Sequence, residues 1–116
     1  MQPFRMLDTT LRDGSYAINF QFSGEDTRQI AAELDRAGIE LIEVGHGIGL
    51  GASARGLGLA RETDIEYMVS AASGVQKSKW GMFCIPGIAS LADLDAAIDH
   101  KMPLVRIGVA VENVKA

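Results

Sequence analysis

The sequence predicts an α/β protein in which strands and helices alternate along one parallel sheet. Three helix-start signals, and four short apolar runs placed around them, carry the prediction. Their order reads β-α-β-α-β-α-β, and strands joined by helical crossovers imply parallel pairing.

The first apolar run, Phe4 to Leu11, reads as a strand that stops at Arg12-Asp13-Gly14-Ser15-Tyr16. Ser23-Gly24-Glu25-Asp26 then offers a hydroxyl cap with an acid three residues on, each able to satisfy an orphan amide of a helix's first turn. Ile30, Ala31, Leu34 and Ala37 recur at helical spacing, and Gly38 supplies the stop. Leu41 to Gly45 reads as the second strand. Thr63-Asp64-Ile65-Glu66 opens a second helix with Tyr67, Met68, Ala71, Ala72 and Val75, and Gly74 lies near its end. Trp80 to Ile85 reads as the third strand, and its near-continuous apolar character suits burial on both faces. Ser90-Leu91-Ala92-Asp93 opens the third helix, with Leu91, Leu94, Ala97 and Ile98 on its apolar face and Pro103 as terminator. Leu104 to Val111 completes the series as a fourth strand. Periodicity alone leaves open whether the sheet stays flat or curls into a barrel.

One connection is out of proportion. From His46 to Glu62 the chain reads "HGIGLGASARGLGLARE", far longer than the usual ~2–6-residue link between strand and helix, and loops of that length are often functional. Its glycines superficially suggest a dinucleotide fingerprint. That motif leads directly into a helix at the first crossover, whereas here the next cap waits until Thr63, so nucleotide binding is not expected.

The 116 residues suffice for one domain, spanning positions 1–116, with 47% apolar and 22% charged residues. A net charge of -4 with scattered cations argues against a nucleic-acid or anionic-membrane partner. No apolar stretch approaches the ~20 residues that span a bilayer, and no leader peptide is expected. Cys84, the single cysteine, sits in "WGMFCIP" and is expected to be a core thiol; the expected compartment is the reducing cytoplasm.

Parallel α/β folds gather ligands at the carboxyl ends of their strands. That criterion selects Arg12, Asp13 and Tyr16 after the first strand, Glu43 and His46 at the end of the second, and Glu112 and Asn113 closing the fourth. Asp13 is a hard oxygen donor suited to Mg²⁺ or Mn²⁺. Arg12 offers a planar fork for a substrate carboxylate or a developing enolate oxygen. Against this stands the plain reading of Arg12-Asp13 as a surface ion pair before a loop. Glu43 lies inside "LIEVG", where an acid is costly to bury alone, so a bridge to an arginine is expected, with Arg12 as the candidate partner. His46 is equally a mouth-lining residue or a simple loop residue. His100 follows a helix and is explained by a favourable contact with its C-terminal dipole.

The stretches "LDTTLRDGSYAINFQF", "LIEVGHGIGLGAS" and "IPGIASLADLDAAIDHKMPLVRIGV" resemble the start of the metal-dependent pyruvate aldolases of the 4-hydroxy-2-oxovalerate aldolase type. These belong to the wider group that includes HMG-CoA lyase and the isopropylmalate and homocitrate synthases. The resemblance implies the first half of a TIM (β/α)₈ barrel. It also implies cleavage of a 4-hydroxy-2-oxo acid to pyruvate and an aldehyde through an enolate, with Mn²⁺ or Mg²⁺ as cofactor and a small α-keto acid as substrate. By that resemblance Asp13 is a metal ligand and Arg12 steadies the enolate, while Glu43 and His46 are candidates for lining the site by their position alone. Tyr16 stands where the aldolases carry a histidine base and the condensing synthases a glutamine. A free histidine titrates near ~6.5 and tyrosine near ~10, so this position departs from the pattern.

A (β/α)₈ barrel runs to ~250 residues and this chain offers four strands, so a fragment is expected, lacking the family's later His-x-His metal ligands. Two further readings follow: condensation of an acyl-CoA with an α-keto acid, and a non-catalytic half-barrel that binds or assembles. Exposed sheet edges predict a homo-oligomer or a missing half-barrel as the partner.

Overall fold

The computed structural model describes residues 4–113. Its elements follow the predicted order: β1 (Leu7–Asp8), α1 (Gly24–Arg36), β2 (Leu41–Glu43), α2 (Asp64–Gly74), β3 (Lys79–Cys84), α3 (Leu91–Asp99) and β4 (Leu104–Ile107). The strands form one sheet in the order β1-β2-β3-β4, and every pair is parallel. An all-parallel sheet laid down in sequence order with a helix between successive strands is the first half of a (β/α)₈ barrel.

All three helix starts form as the sequence requires. The side chains of Ser23, Thr63 and Ser90 each accept a hydrogen bond from the backbone N–H three residues on, and the carboxylates of Asp26 and Asp93 accept in turn from the Ser23 and Ser90 amides. The C-terminus of α1 is closed by Gly38 at φ 91°, a left-handed conformation that glycine adopts without strain. His100 caps the C-terminus of α3.

Strand ends differ from the expected ones. β1 is only Leu7–Asp8, because the Thr9 carbonyl accepts from the amides of Arg12, Asp13 and Gly14 and turns the chain out of the ladder. Arg12 to Tyr16 therefore sit on a turn that runs into a 3-10 helix over Asp13–Ile18. β4 ends at Ile107, so Glu112 and Asn113 do not close it; they lie in a 3-10 turn at Val111–Asn113.

Side chains alternate across the sheet with period two. Register pairs Ile42 with Trp80 and Met82 with Val105, on the face that packs with Ala31, Met68 and Ala71 of the helices into the core. Cys84 is buried on that face as a free thiol, its pKa raised by the burial and then by Asp93. Glu43 is level with Gly81, and Phe83 with Arg106, which puts Glu43, Phe83 and Arg106 together on the opposite face. In a barrel that face is the interior.

Candidate functional site

Glu43 is the centre of the polar face. It is 1% exposed, and such a carboxylate needs partners to remain charged. Arg12 supplies the expected bridge: its Nε donates to Glu43 Oε1 at 2.8 Å. Arg106, inside β4 and outside the residues that the carboxyl ends of the strands select, donates from Nε to Oε2 and from Nη2 to Oε1, both at 2.9 Å. These bonds raise the Arg106 pKa above its ordinary value, and the charge of Asp13 adds to the effect. The signal that singled out Glu43, a charged residue inside an apolar strand, is present in "PLVRIG" as well.

Phe83 carries both guanidinium groups. Arg12 Cζ stands 4.9 Å and Arg106 Cζ 4.5 Å from its ring centroid, within range of a cation–π attraction. The ring also rests against Gly108, where a Cβ would collide with it. Arg12 is further fixed by donating from Nη1 to the Gly47 carbonyl at 2.9 Å. Its side chain is 11% exposed, and Asp13 Oδ1 lies 3.7 Å from Nη1. Two guanidiniums against one buried carboxylate leave a positive excess, with Asp13 at its edge.

Asp13 itself is open, its side chain 66% exposed. Tyr16 is half-exposed and meets Phe20 edge-on, with ring centroids 5.2 Å apart. Phe20 in turn stacks on His46 at 4.0 Å. Asn19 and Phe20 both adopt positive φ (55° and 64°), an uncommon backbone for a bulky side chain, which turns the Phe20 ring onto His46. Gly47 makes room for this column, since a Cβ there would come within 2.8 Å of the Tyr16 ring and 2.9 Å of the Phe20 ring.

His46 is buried, and both of its nitrogens are used. Nδ1 accepts from the Ile48 amide at 3.0 Å, so the proton is on Nε2, which donates to the Gly58 carbonyl at 2.9 Å. The imidazole thus ties together two points of the long glycine-rich loop beneath Tyr16. The loop is pinned again where the Gly51 amide donates to Asp64 Oδ2 at 2.9 Å.

The structure therefore brings Arg12, Asp13, Glu43 and Tyr16 to one end of the sheet, with Arg106 and Phe83 added, and places His46 under them. The described residues do not by themselves fit a divalent cation. Asp13 is a single oxygen donor, Glu43 is taken up by two arginines, and no group of three His, Cys, Asp or Glu side chains among the described residues is placed to hold one. A hard cation takes several oxygens.

Comparison with known proteins finds relatives along most of the chain. The chain is 46% identical over 104 residues to 4-hydroxy-2-oxovalerate aldolase 2 of Nocardia farcinica, covering 90% of this chain and 30% of that protein. It is 42% identical over 103 residues to the 4-hydroxy-2-oxovalerate aldolase of Carboxydothermus hydrogenoformans, covering 89% and 31%. It is 46% identical over 95 residues to the oxaloacetate decarboxylase of Mycobacterium tuberculosis, covering 82% and 28%. The chain thus spans about a third of the length of these relatives. A family model described as HMGL-like matches residues 3–115, nearly every position from the first strand to the last turn. With four parallel strands in barrel order and a polar cluster at their carboxyl ends, this chain belongs to the HMGL-like family.

Proposed function

We propose that this chain supplies the pyruvate-handling part of an aldolase that cleaves a 4-hydroxy-2-oxo acid to pyruvate and an aldehyde. The observation that carries the reading is the Arg12 fork, fixed through Glu43 and Gly47 with its Nη2 making no hydrogen bond to a described residue. In retro-aldol cleavage a base takes the proton of the C4 hydroxyl, the C3–C4 bond breaks, and its electron pair moves onto the 2-oxo oxygen. A guanidinium N–H at that oxygen is favoured most when the charge has developed, which lowers the barrier. Asp13 is one donor toward Mg²⁺ or Mn²⁺, whose remaining donors are not among the described residues, so no step is derived through the metal.

A second reading is favoured by Tyr16. Decarboxylation of a 2-oxo dicarboxylic acid such as oxaloacetate also forms pyruvate enolate, but CO₂ leaves without any hydroxyl proton being removed. A phenol is a poor base at neutral pH and a competent donor of a proton to the enolate carbon. The Mycobacterium tuberculosis relative bears that activity in its name.

The substrate of either reaction is a small α-keto acid. No helix of the described residues is long and apolar enough to cross a membrane. For the partner, we favour more barrel or another copy. Val105 and Ile107 are exposed on the sheet face that elsewhere packs against helices, and among the described residues β4 pairs on one side only. Sedimentation of the isolated chain is expected to show association; a stable monomer at tens of micromolar overturns it.

The activity is tested in a chimera that joins this chain to the remaining two-thirds of the Nocardia farcinica aldolase. Pyruvate release from 4-hydroxy-2-oxovalerate and from oxaloacetate is then measured for the parent, Asp13→Asn and Arg12→Lys. Asp13→Asn should lose metal binding and most turnover. Arg12→Lys should keep the metal and lose turnover, because a point charge replaces a fork. Full activity in both variants, on both substrates, returns Arg12-Asp13 to a surface ion pair.

A further inference from the structure

Arg106 and Arg12 compete for one carboxylate, and the competition is unequal. Arg106 engages both oxygens of Glu43, from Nε to Oε2 and from Nη2 to Oε1. Arg12 reaches only Oε1, and only through Nε. An arginine beside a carboxylate with free oxygens favours the two-pronged pairing, which is the stronger arrangement. Arg12 makes only one prong here: Arg106 Nε occupies Oε2, and Arg106 Nη2 shares Oε1 with Arg12 Nε.

The consequence falls on the outer edge of Arg12. Its Nη1 turns to the Gly47 carbonyl at 2.9 Å, and its Nη2 has no hydrogen-bond partner among the described residues. Phe83 limits the alternatives. Its ring is under both guanidinium groups, and Gly108 leaves it the space to stay there. Arg12 cannot drop toward Glu43 without displacing Arg106 or leaving the ring.

We propose that Arg106 is a positioning residue that, by occupying both oxygens of Glu43, prevents Arg12 from collapsing into a bidentate pair and holds its Nη edge toward the substrate. Arg106 acts here through Glu43 and not on the reacting atoms. The proposal rests on the reading of Arg12 as the substrate's fork. Its geometric half does not depend on turnover.

The test uses the 116-residue chain, with Arg106→Met, Arg106→Lys and Phe83→Leu variants. Crystal structures give the Arg12 geometry, and NMR titration with pyruvate gives the affinity. In Arg106→Met, Arg12 should pair with Glu43 through two nitrogens and release the Gly47 carbonyl, and pyruvate should bind about tenfold more weakly. Arg106→Lys keeps the charge but offers one point of contact, so Arg12 should take the oxygen that lysine leaves and affinity should fall by less. This variant decides the question if the methionine variant does not fold. Phe83→Leu should leave the Glu43 bonds intact and loosen Arg12, seen as averaging of its Nη signals. Arg12 still bonded through Nε to Glu43 and Nη1 to Gly47 in both Arg106 variants overturns the proposal. No pyruvate binding by the parent chain overturns the reading of Arg12 as a substrate fork, while the geometry of the variants still decides the positioning role.

Discussion

Arg12 and Glu43, 31 positions apart in sequence, meet through a 2.8 Å bond between Nε and Oε1. This bond fastens the turn after β1 to the end of β2, and Arg106 extends the link to β4. The polar face is thereby tied across the sheet by side chains as well as by the ladder.

Glu43→Gln should test how much stability that tie contributes. The amide keeps the size but offers one acceptor oxygen to two guanidiniums and removes their neutralising charge. Breaking a fully buried ion pair from one side costs about 3–5 kcal/mol. Arg106 is partly exposed and can turn to water, so a loss of about 2–3 kcal/mol is expected here. Urea denaturation measures it; a midpoint within error of the parent's shows that the cluster carries no net stability.

Three glycines of the long loop should respond differently to alanine. At Gly56, φ is 77° with nothing within 4 Å of a new Cβ, so only left-handed backbone strain remains, about 1–2 kcal/mol. At Gly49, φ is 117° and the Cβ would lie 2.6 Å from the Phe83 carbonyl, part of the β3 backbone. Strain and backbone displacement together should cost about 2–4 kcal/mol. At Gly47 the obstacles are the Tyr16 and Phe20 rings and the Ser15 hydroxyl. Tyr16 can swing toward solvent, so Gly47→Ala should unfold less readily than Gly49→Ala while altering Tyr16 fluorescence. The same cost at all three positions would mean that the loop's contacts are not the ones described.

The ordering of these residues explains what could be read beforehand. The three caps were legible because each depends on residues three apart in sequence. The bridge from Glu43 to Arg12 was legible because an acid in an apolar strand demands a cation. Arg106 meets the same criterion but lies inside β4, outside the strand-end positions that the fold class points to. The early end of β1 was hidden, because "TTL" reads as strand by composition while the Thr9 carbonyl collects three amides in a turn. Both bonds of His46 depend on the path of a loop that follows no period.

Two acids should give the stability opposite pH dependences. The Ser78 hydroxyl donates to Asp35, and the amides of Gln76, Lys77 and Ser78 converge on the same carboxylate at 2.6–3.1 Å. Led by the hydroxyl, and against the effect of burial, they hold its pKa down at about 2. An unfolded aspartate titrates near ~3.9, so this contribution is complete above that value and is lost as pH falls toward 2. Asp64 is shifted upward, first by burial and then by the charge of Asp93, with the Gly51 amide opposing. Its ionisation opposes folding, so its contribution is complete below ~3.9 and is lost as pH rises through its folded value. Asp35→Asn should flatten the acid limb of a plot of urea midpoint against pH. Asp64→Asn keeps an acceptor for the Gly51 amide and should gain on the parent between pH 3 and 7. An unchanged acid limb in Asp35→Asn, or a gain from Asp64→Asn that shrinks as pH rises, overturns the assignments.

Tyr16→His in the chimera should separate the two proposed reactions. Tyr16 stands on the Phe20–His46 column, half-exposed and three residues after Asp13 in the chain. Cleavage of a 4-hydroxy-2-oxo acid needs a base for the hydroxyl proton, and a well-placed general base contributes typically 10²–10⁴-fold. An imidazole titrating near ~6.5 can serve at neutral pH, where a phenol near ~10 cannot. The variant should therefore raise kcat for 4-hydroxy-2-oxovalerate by at least about tenfold, with a new rise in rate between pH 6 and 7. Decarboxylation of oxaloacetate needs no such base, so its rate should hold or fall as the phenolic donor is lost. An increase of equal size for both substrates would point to a change in binding, because only aldol cleavage includes the proton removal that histidine performs. No increase for either, with the chimera folded and the metal bound, would mean that position 16 is not where the base stands in this site.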